Sequence, residues 1–149
     1  MTVRVQENDF DPTTELDVLS AGRDDIGALV SFIGLVRGGD VAEMTLEHYP
    51  GMTEKALEEI EREARKRWPL QGVTIIHRVG PLAPGARIVF VATASPHRGA
   101  AFEAAEFIMD FLKTLAPFWK KEATSEGARW VDARETDDAA AARWTPENP

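Results

Sequence analysis

Apolar residues recur at helical spacing in two long stretches of the chain. In the first, from about 53 to 68, they are Ala56, Leu57, Ile60, Ala64 and Trp68. In the second, from about 96 to 115, they are Ala101, Phe102, Ala105, Ile108, Met109 and Leu112. Because this spacing gathers apolar side chains on one helical face, both stretches are predicted to be amphipathic helices. Ser95 and Pro96 fit the N-cap and the first position of the second helix.

Other segments have the shorter patterns of strands. Residues 27–36 (GALVSFIGLV) form a nearly continuous apolar run, which predicts a buried strand. Residues 43–49 alternate between apolar and polar positions, which predicts a half-buried strand paired with the preceding one. Further strands are expected at 73–79 and 87–94, joined by the turn-rich GPLAPG segment, with short edge strands at 122–123 and 128–131.

These elements predict an α+β fold class, a small mixed or antiparallel sheet with helices packed mainly on one face. A short helix at 13–20 precedes the first of these strands, with Leu16 and Leu19 facing inward. No repeat or sharp change of composition divides the chain, so we expect one domain over residues 1–149. The tail from about 136 is polar, and a last short helix is predicted there at 139–142.

Composition narrows the classes of function. The 149 residues include 17 Lys and Arg against 25 Asp and Glu, and this net charge of −8 disfavours binding to nucleic acid or an anionic membrane. The absence of cysteine excludes disulfides, thiolate metal sites, a cysteine nucleophile and a persulfide on this chain. No apolar run is long enough for a transmembrane helix, and the first residues lack the apolar part of a signal peptide. The expected location is cytoplasmic.

Several cations stand out in this acidic chain. They are Arg37 after the first apolar run, His97 and Arg98 at the start of the second long helix, Lys113 near its end, and Lys120 and Lys121 beyond it. The start of a helix presents free backbone N–H groups that bind anions, and an arginine there adds a bidentate fork for phosphate. His97 and Arg98 are therefore candidates for an anion site. The alternative is a surface histidine beside an arginine that pairs with a nearby glutamate.

Each lysine position has two interpretations. Lys113 follows Leu112 at the border of the apolar stripe, where a lysine either extends its head to solvent or becomes a partly desolvated, nucleophilic amine. Lys120 and Lys121 are adjacent on an extended segment, so only one of them can easily face a pocket, with Glu122 on its side. The alternative for this pair is a solvated strand edge that discourages pairing with other strands.

Arg98 and Lys113 stand at opposite ends of the second long helix. The residues between them span about 22 Å at the helical rise, so one small ligand cannot easily touch both ends of a straight helix. If both residues serve one site, the simplest arrangement takes them from different subunits. A twofold dimer would then contain two equivalent mixed sites.

The histidines do not form a recognisable metal motif. His48, His77 and His97 lie on different predicted elements without a metal-binding spacing. We expect His48 and His77 to be strand histidines with hydrogen-bond partners. Signatures of a phosphate-binding loop, a dinucleotide-binding turn or a serine hydrolase are missing from the sequence. No metal or cofactor is expected.

Several blocks of the sequence, taken in order, match one known family. They are GALVSFIGLVR (27–37), LEHYPGMTEKAL (46–57), IHRVGPLAPG (76–85), SPHRGAAFEAAEFIMDFLK (95–113) and PFWKKE (117–122). With Trp130 and Val131 they extend over most of residues 26–135. The chain resembles the large, catalytic subunits of molybdopterin synthase, the MoaE family. The resemblance implies an α/β-hammerhead fold, which is compatible with the predicted α+β elements.

The resemblance also implies an activity, that of a sulfurtransferase in molybdenum cofactor biosynthesis. Such enzymes convert cyclic pyranopterin monophosphate (precursor Z) into molybdopterin by inserting the two dithiolene sulfurs. The sulfur arrives as a thiocarboxylate on the C-terminal Gly-Gly of a small ubiquitin-like partner subunit. The family assembles as a heterotetramer, in which a central homodimer of large subunits carries one small subunit at each end.

Carried onto this sequence, the resemblance implies that Lys113 and Lys120 are catalytic residues near the thiocarboxylate. There a lysine would stabilise an oxyanion, shuttle protons or attack the carbonyl. The implied substrate-binding residues are Arg37, His97, Arg98, Lys121, Glu122, Phe32, Met109 and Arg134. Among these, His97 and Arg98 are assigned to the phosphate and pterin end. Two other hypotheses remain: an adaptor that docks a ubiquitin-like protein without catalysis, and a domain that binds phosphorylated ligands without sulfur chemistry.

Overall fold

Helices pack on two four-stranded sheets in this chain. The computed structural model describes residues 2–39, 41–116, 118–124, 127–131, 142 and 144. The helices are α1 (Pro12–Ser20), α2 (Met52–Arg67) and α3 (Arg98–Leu115). The strands are β1 (Val3–Gln6), β2 (Ala28–Leu35), β3 (Val41–His48), β4 (Gly72–Arg78), β5 (Gly80–Leu82), β6 (Arg87–Ser95), β7 (Phe118–Thr124) and β8 (Gly127–Val131). The α+β class is confirmed, and so are the helices predicted at 13–20, 53–68 and 96–115. The helix predicted at 139–142 lies largely outside the described residues.

The first sheet has the strand order β1-β4-β6-β2, in which β1 and β4 are parallel and the other pairs antiparallel. Its two central strands are buried on both faces. Helices α2 and α3 pack against the face that includes Ile75 and Val91, whereas α1 covers the opposite face around Ile76 and Phe90. Coverage on both sides explains why β4 and β6 are apolar almost throughout. In the described part of the chain, no helix combines the length and apolar character needed to cross a membrane.

The second sheet has the order β5-β3-β7-β8, and all its pairs are antiparallel. The prediction that β3 pairs with the preceding strand is therefore wrong, since β3 lies between β5 and β7 in a different sheet. The predicted alternation of buried and exposed positions along β3 is confirmed, because Met44 and Leu46 are buried and join the core beneath α2 and α3. Strand β7 is longer than predicted and internal, and β5 occupies part of the expected GPLAPG connector.

The apolar run at 27–36 is an edge strand and not a buried one. Strand β2 pairs with β6 and ends the first sheet, so it has a strand neighbour on one side only. Its side chains Leu29, Phe32, Ile33 and Leu35 are exposed, the last at 57%. The prediction failed because a continuous apolar run is also compatible with a surface that a second chain covers.

The start of α3 also differs from the prediction. Ser95 is still part of β6, paired with Ala28, and its buried hydroxyl donates a hydrogen bond to the Pro69 carbonyl oxygen at 3.2 Å. Its Oγ also accepts a hydrogen bond from the His97 backbone N–H at 3.4 Å, but the N-cap is His97 and not Ser95, and His97 makes no side-chain capping bond. Of the predicted stripe, Phe102 is 61% exposed and lies off the buried face.

Substituting alanine for Gly27 is expected to destabilise the junction between β2 and α3. A β-carbon at residue 27 would lie 1.9 Å from the Pro96 carbonyl oxygen, so backbone must move, at a cost of about 2 kcal/mol. Gly99→Ala is the matched control, since nothing lies within 4 Å of a β-carbon there. Urea unfolding measures both variants. Equal unfolding free energies for Gly27→Ala and the parent chain would contradict the close approach.

Candidate active site

Two lysines from different elements approach the same part of the core. Lys113 lies in the last turn of α3 and is half-buried. Lys120 lies in β7 opposite Leu46 of β3, and cross-strand partners project from the same face of a sheet. Because Leu46 is buried, this face is the one directed at the core, and Lys120 is accordingly half-buried. The two candidate catalytic lysines therefore reach the same layer of the molecule.

A histidine marks the place where the lysines converge. His77, near the end of β4, is 3% exposed, and its ring stacks on Phe118 with 3.9 Å between centroids. Burial lowers the pKa of His77 to about 3, and the positive charges of Lys113 and Lys120 act in the same direction. A neutral imidazole thus lies within electrostatic reach of both lysines. Such a cluster of cations beside a dry aromatic surface is suited to an anionic or carbonyl group.

The hydrogen bond of His77 fixes its tautomer. Nδ1 lies 2.9 Å from the carbonyl oxygen of Arg78, and that oxygen can only accept, so Nδ1 carries the proton. The expectation of a strand histidine with a hydrogen-bond partner is confirmed for His77. His48 lies on β3 opposite Phe118, the residue on which the His77 ring stacks.

His97 and Arg98 lie at the other end of α3. They are the N-cap and the first residue of the helix, and both are exposed. The structure thus confirms their place at a helix start, where backbone N–H groups are free to meet an anion. One chain does not bring them to Lys113, because α3 separates them by about 22 Å.

The remaining predicted site residues are distributed over several elements. Phe32 is 42% exposed on β2, and Arg37 is exposed beyond the end of that strand. Met109 packs partly buried against the core, one helical turn before Lys113. In the β7 backbone, Lys121 pairs with Thr45 and Glu122 with Met44. Arg134 lies outside the described residues.

Sequence reasoning missed the association of His77 with the lysines. The residue was interpreted only as a satisfied strand histidine, because nothing in the sequence places it beside residues 113 and 120. One signal was available: His77 is an ionisable residue that follows five apolar or small positions, 72–76, in the same strand. A buried ionisable group of this kind is a reason to search for charged neighbours.

Comparisons with known proteins identify the family. The model of the family described as MoaE protein matches residues 5–115. A molybdopterin synthase catalytic subunit from Ralstonia nicotianae is 62% identical over 147 residues, which are 96% of this chain and 84% of that protein. A molybdopterin biosynthesis MoaE protein from Burkholderia ambifaria is 60% identical, with a TM-score of 0.86 over 98% of this chain and 99% of that one.

A more distant structure shares the fold. It belongs to a protein–protein complex of subunits 1 and 2 of molybdopterin-converting factor from Helicobacter pylori, is 19% identical, and has a TM-score of 0.74 over 91% of this chain and 92% of that one. The family match extends over most of the chain, and the relatives at about 60% identity match nearly all of it. The chain therefore belongs to the MoaE family, and its α+β architecture is that of the solved MoaE protein.

Proposed function

We propose that the chain is the catalytic subunit of a molybdopterin synthase, a sulfurtransferase of molybdenum cofactor biosynthesis. It converts precursor Z, a cyclic pyranopterin monophosphate, into molybdopterin by inserting the two dithiolene sulfurs. The observation that carries this proposal is membership of the MoaE family, and it is supported by the charges of Lys113 and Lys120 acting together on buried His77. The close relative from Ralstonia nicotianae, named as a catalytic subunit, supports it.

A partner delivers the sulfur, as the family resemblance implies, and the absence of cysteine in this chain is compatible with such delivery. We assign this role to a small ubiquitin-like subunit with a C-terminal Gly-Gly thiocarboxylate. Glycine allows the close backbone approach that a narrow channel beside the lysines requires. The Helicobacter pylori protein of the same fold was solved as a complex of two subunits, which is in keeping with such an assembly.

The lysines act on the thiocarboxylate carbonyl. An ammonium group beside this carbon stabilises the negative charge that forms on oxygen when a nucleophile attacks, and it can return a proton afterwards. A neutral amine would instead attack the carbonyl carbon, forming an amide bond while the C–S bond breaks and the sulfur leaves as hydrosulfide for transfer to the substrate. Both routes need a lysine that is partly withdrawn from water, and both Lys113 and Lys120 are half-buried. Met109 and Phe32 serve as apolar walls, and Lys121, Glu122 and Arg134 complete the proposed site.

The phosphate and pterin end of the substrate belongs to His97 and Arg98. Arg37 follows the other end of β2, since Ala28 pairs with Ser95 and Leu35 with Arg87, and we assign it to substrate binding. Since α3 holds Arg98 about 22 Å from Lys113, each site takes these groups from two copies of the chain. The exposed apolar edge of β2 supports this arrangement. An edge strand with exposed Leu29, Phe32, Ile33 and Leu35 invites pairing, and a second copy would bury it. The homodimer forms the centre of a heterotetramer, which we place in the cytoplasm.

A reconstitution assay tests the proposal. The purified chain is mixed with thiocarboxylated partner and precursor Z, and the dithiolene product is detected by mass. Formation of molybdopterin is the expected result. Binding of the partner without any product would favour the alternative function, a docking adaptor without catalysis. The half-buried lysines disfavour that alternative, because docking alone does not require cations to be withdrawn from water.

Replacing Arg98 with alanine is expected to weaken binding of precursor Z more than binding of the partner. Loss of a charged hydrogen bond to phosphate costs about 1.5–3 kcal/mol, which is roughly a 10- to 100-fold increase in Kd. Titration calorimetry with each ligand separates the two effects. Arg62→Ala removes an exposed arginine on α2 and is the matched control. Unchanged affinity for the precursor would remove Arg98 from the phosphate site.

A further inference from the structure

His77, which has no role in the proposed reaction so far, is held by several specific contacts. Its ring is almost fully buried, its Nδ1 donates to the Arg78 carbonyl oxygen at 2.9 Å, and its face lies against Phe118. This hydrogen bond fixes the orientation of the His77 ring relative to β4. The rings of His77 and Phe118 stack with 23° between their planes, so the orientation of the His77 ring constrains that of Phe118 in the second sheet.

The stacking partner is the first residue of the strand that carries a catalytic lysine. Phe118 begins β7, and its backbone N–H donates to the Ala116 carbonyl oxygen at 2.9 Å. Lys120 follows two positions later and therefore projects from the same face of the strand. Phe118 also follows closely on the end of α3, which carries Lys113. Fixing Phe118 thus constrains the path of the chain between the two lysines.

The charge state of the ring suits this position. The ionisable groups that act electrostatically on His77 from the surrounding elements are Lys113 on α3, Lys120 on β7 and His48 on β3, and the two lysines would be repelled by an imidazolium. Burial keeps the ring neutral, so an aromatic surface can lie beside both lysines without raising the positive charge between them.

We propose that His77 is a positioning residue for the reaction, which holds Phe118 by ring stacking and thereby sets the placement of Lys120 relative to Lys113. The inference deepens the proposed function and rests on it for its kinetic consequence. It goes beyond that function in assigning a role to a residue that does not touch the reacting atoms.

Two variants distinguish the effect of ring stacking on Phe118 from the effect of filling the same volume. His77→Phe keeps a planar ring against Phe118, whereas His77→Leu fills similar volume without a ring. Phe10→Ala is the control, because it breaks a comparable stack, Phe10 on Phe90, in the other hydrophobic cluster and away from the lysines. Circular dichroism establishes that each variant is folded.

The first readout does not require activity. Trace acetylation with acetic anhydride, mapped by peptide mass spectrometry, gives the labelling of Lys120 and Lys113 relative to exposed Lys55. We expect His77→Leu to change the ratio for Lys120 at least threefold, and His77→Phe to stay within twofold of the parent chain. Parent-like labelling in His77→Leu, or an equal change in Phe10→Ala, would overturn the proposal.

The second readout is the reconstituted reaction. We expect His77→Leu to lower kcat at least tenfold with KM for precursor Z within threefold, and His77→Phe to restore kcat to within threefold of the parent value. Equal losses in His77→Phe and His77→Leu would refute the stacking role. If the parent chain itself makes no product while the labelling ratios behave as expected, the proposed function fails and the positioning of Lys120 by His77 stands.

Discussion

Lys113→Ala is expected to abolish sulfur transfer while leaving the chain folded and able to self-associate. The substitution removes an ammonium group from the half-buried end of α3, beside the cluster of Lys120 and His77. Loss of a group that stabilises an oxyanion or transfers a proton in the transition state lowers kcat by roughly 100-fold or more. Single-turnover formation of the dithiolene, followed by mass, measures the effect.

Two further variants give this result its meaning. Lys66→Ala removes an exposed lysine from the last turn of α2, so it repeats the change in charge without touching the cluster, and it should react normally. Lys113→Arg keeps a positive charge but offers no amine nucleophile, so partial activity indicates charge stabilisation and complete loss indicates attack by the amine. Near-normal turnover of Lys113→Ala would exclude Lys113 from the mechanism.

Acidification is expected to destabilise the chain through His77 well before most carboxylates are protonated. Burial lowers the pKa of this imidazole from 6.5 to about 3, so the unfolded chain binds a proton that the folded chain rejects. Its contribution to stability is complete above pH 6.5 and is lost as the pH falls from 6.5 towards 3. Between pH 7.5 and pH 5 the loss is about 2 kcal/mol.

The contribution of His77 is isolated by comparison with His77→Phe, which has no group that titrates at this position. Urea unfolding at pH 7.5 and pH 5, at one protein concentration, should give a smaller decrease in unfolding free energy for the variant than for the parent chain. Asp9 does not obscure the comparison. Hydrogen bonding from Arg87 lowers its pKa from 3.8 to about 2, so its protonation changes the unfolding free energy only below pH 5. Parallel decreases in the two proteins would show that His77 is not buried as a neutral ring.

The sequence predicted those elements whose own side chains determine them. Helices α2 and α3 have an apolar stripe of helical period, and β3 alternates between Met44, Leu46 and polar residues, so a local pattern was sufficient. Strands β4 and β6 were also predicted, because apolar residues on both faces accompany burial on both faces.

Features that depend on distant parts of the chain were not predictable in this way. Strand β3 pairs with β5 and with β7, and β7 follows α3 far along the chain, so local alternation contains no information about these partners. The start of α3 shifted to His97 because Ser95 retains its ladder position opposite Ala28 and bonds to Pro69. An N-cap preference of about 1 kcal/mol does not override such a ladder.

The sequence predicted which residues form the candidate site but not how they are arranged in space. The resemblance of the HR…LK…PFWKKE blocks to the MoaE family indicated Lys113 and Lys120, and the structure places both beside the core. Their common electrostatic influence on His77 depends on how β4, β7 and α3 are arranged in the fold, and residue spacing alone does not determine that arrangement. The exposed edge of β2 was missed for a related reason, since one sequence does not show which of its apolar surfaces a second copy covers.

Helix α3 begins with Arg98, which is assigned to the phosphate of the substrate, and has Lys113, which is assigned to the thiocarboxylate, in its last turn. In the twofold arrangement proposed above, each copy therefore contributes half of two separate reaction centres. A hybrid pair, one chain altered at Arg98 and the other at Lys113, would contain one intact centre and one doubly defective centre. Two alleles that are each inactive alone would complement one another when expressed together, and a genetic cross would reveal the architecture of the pair.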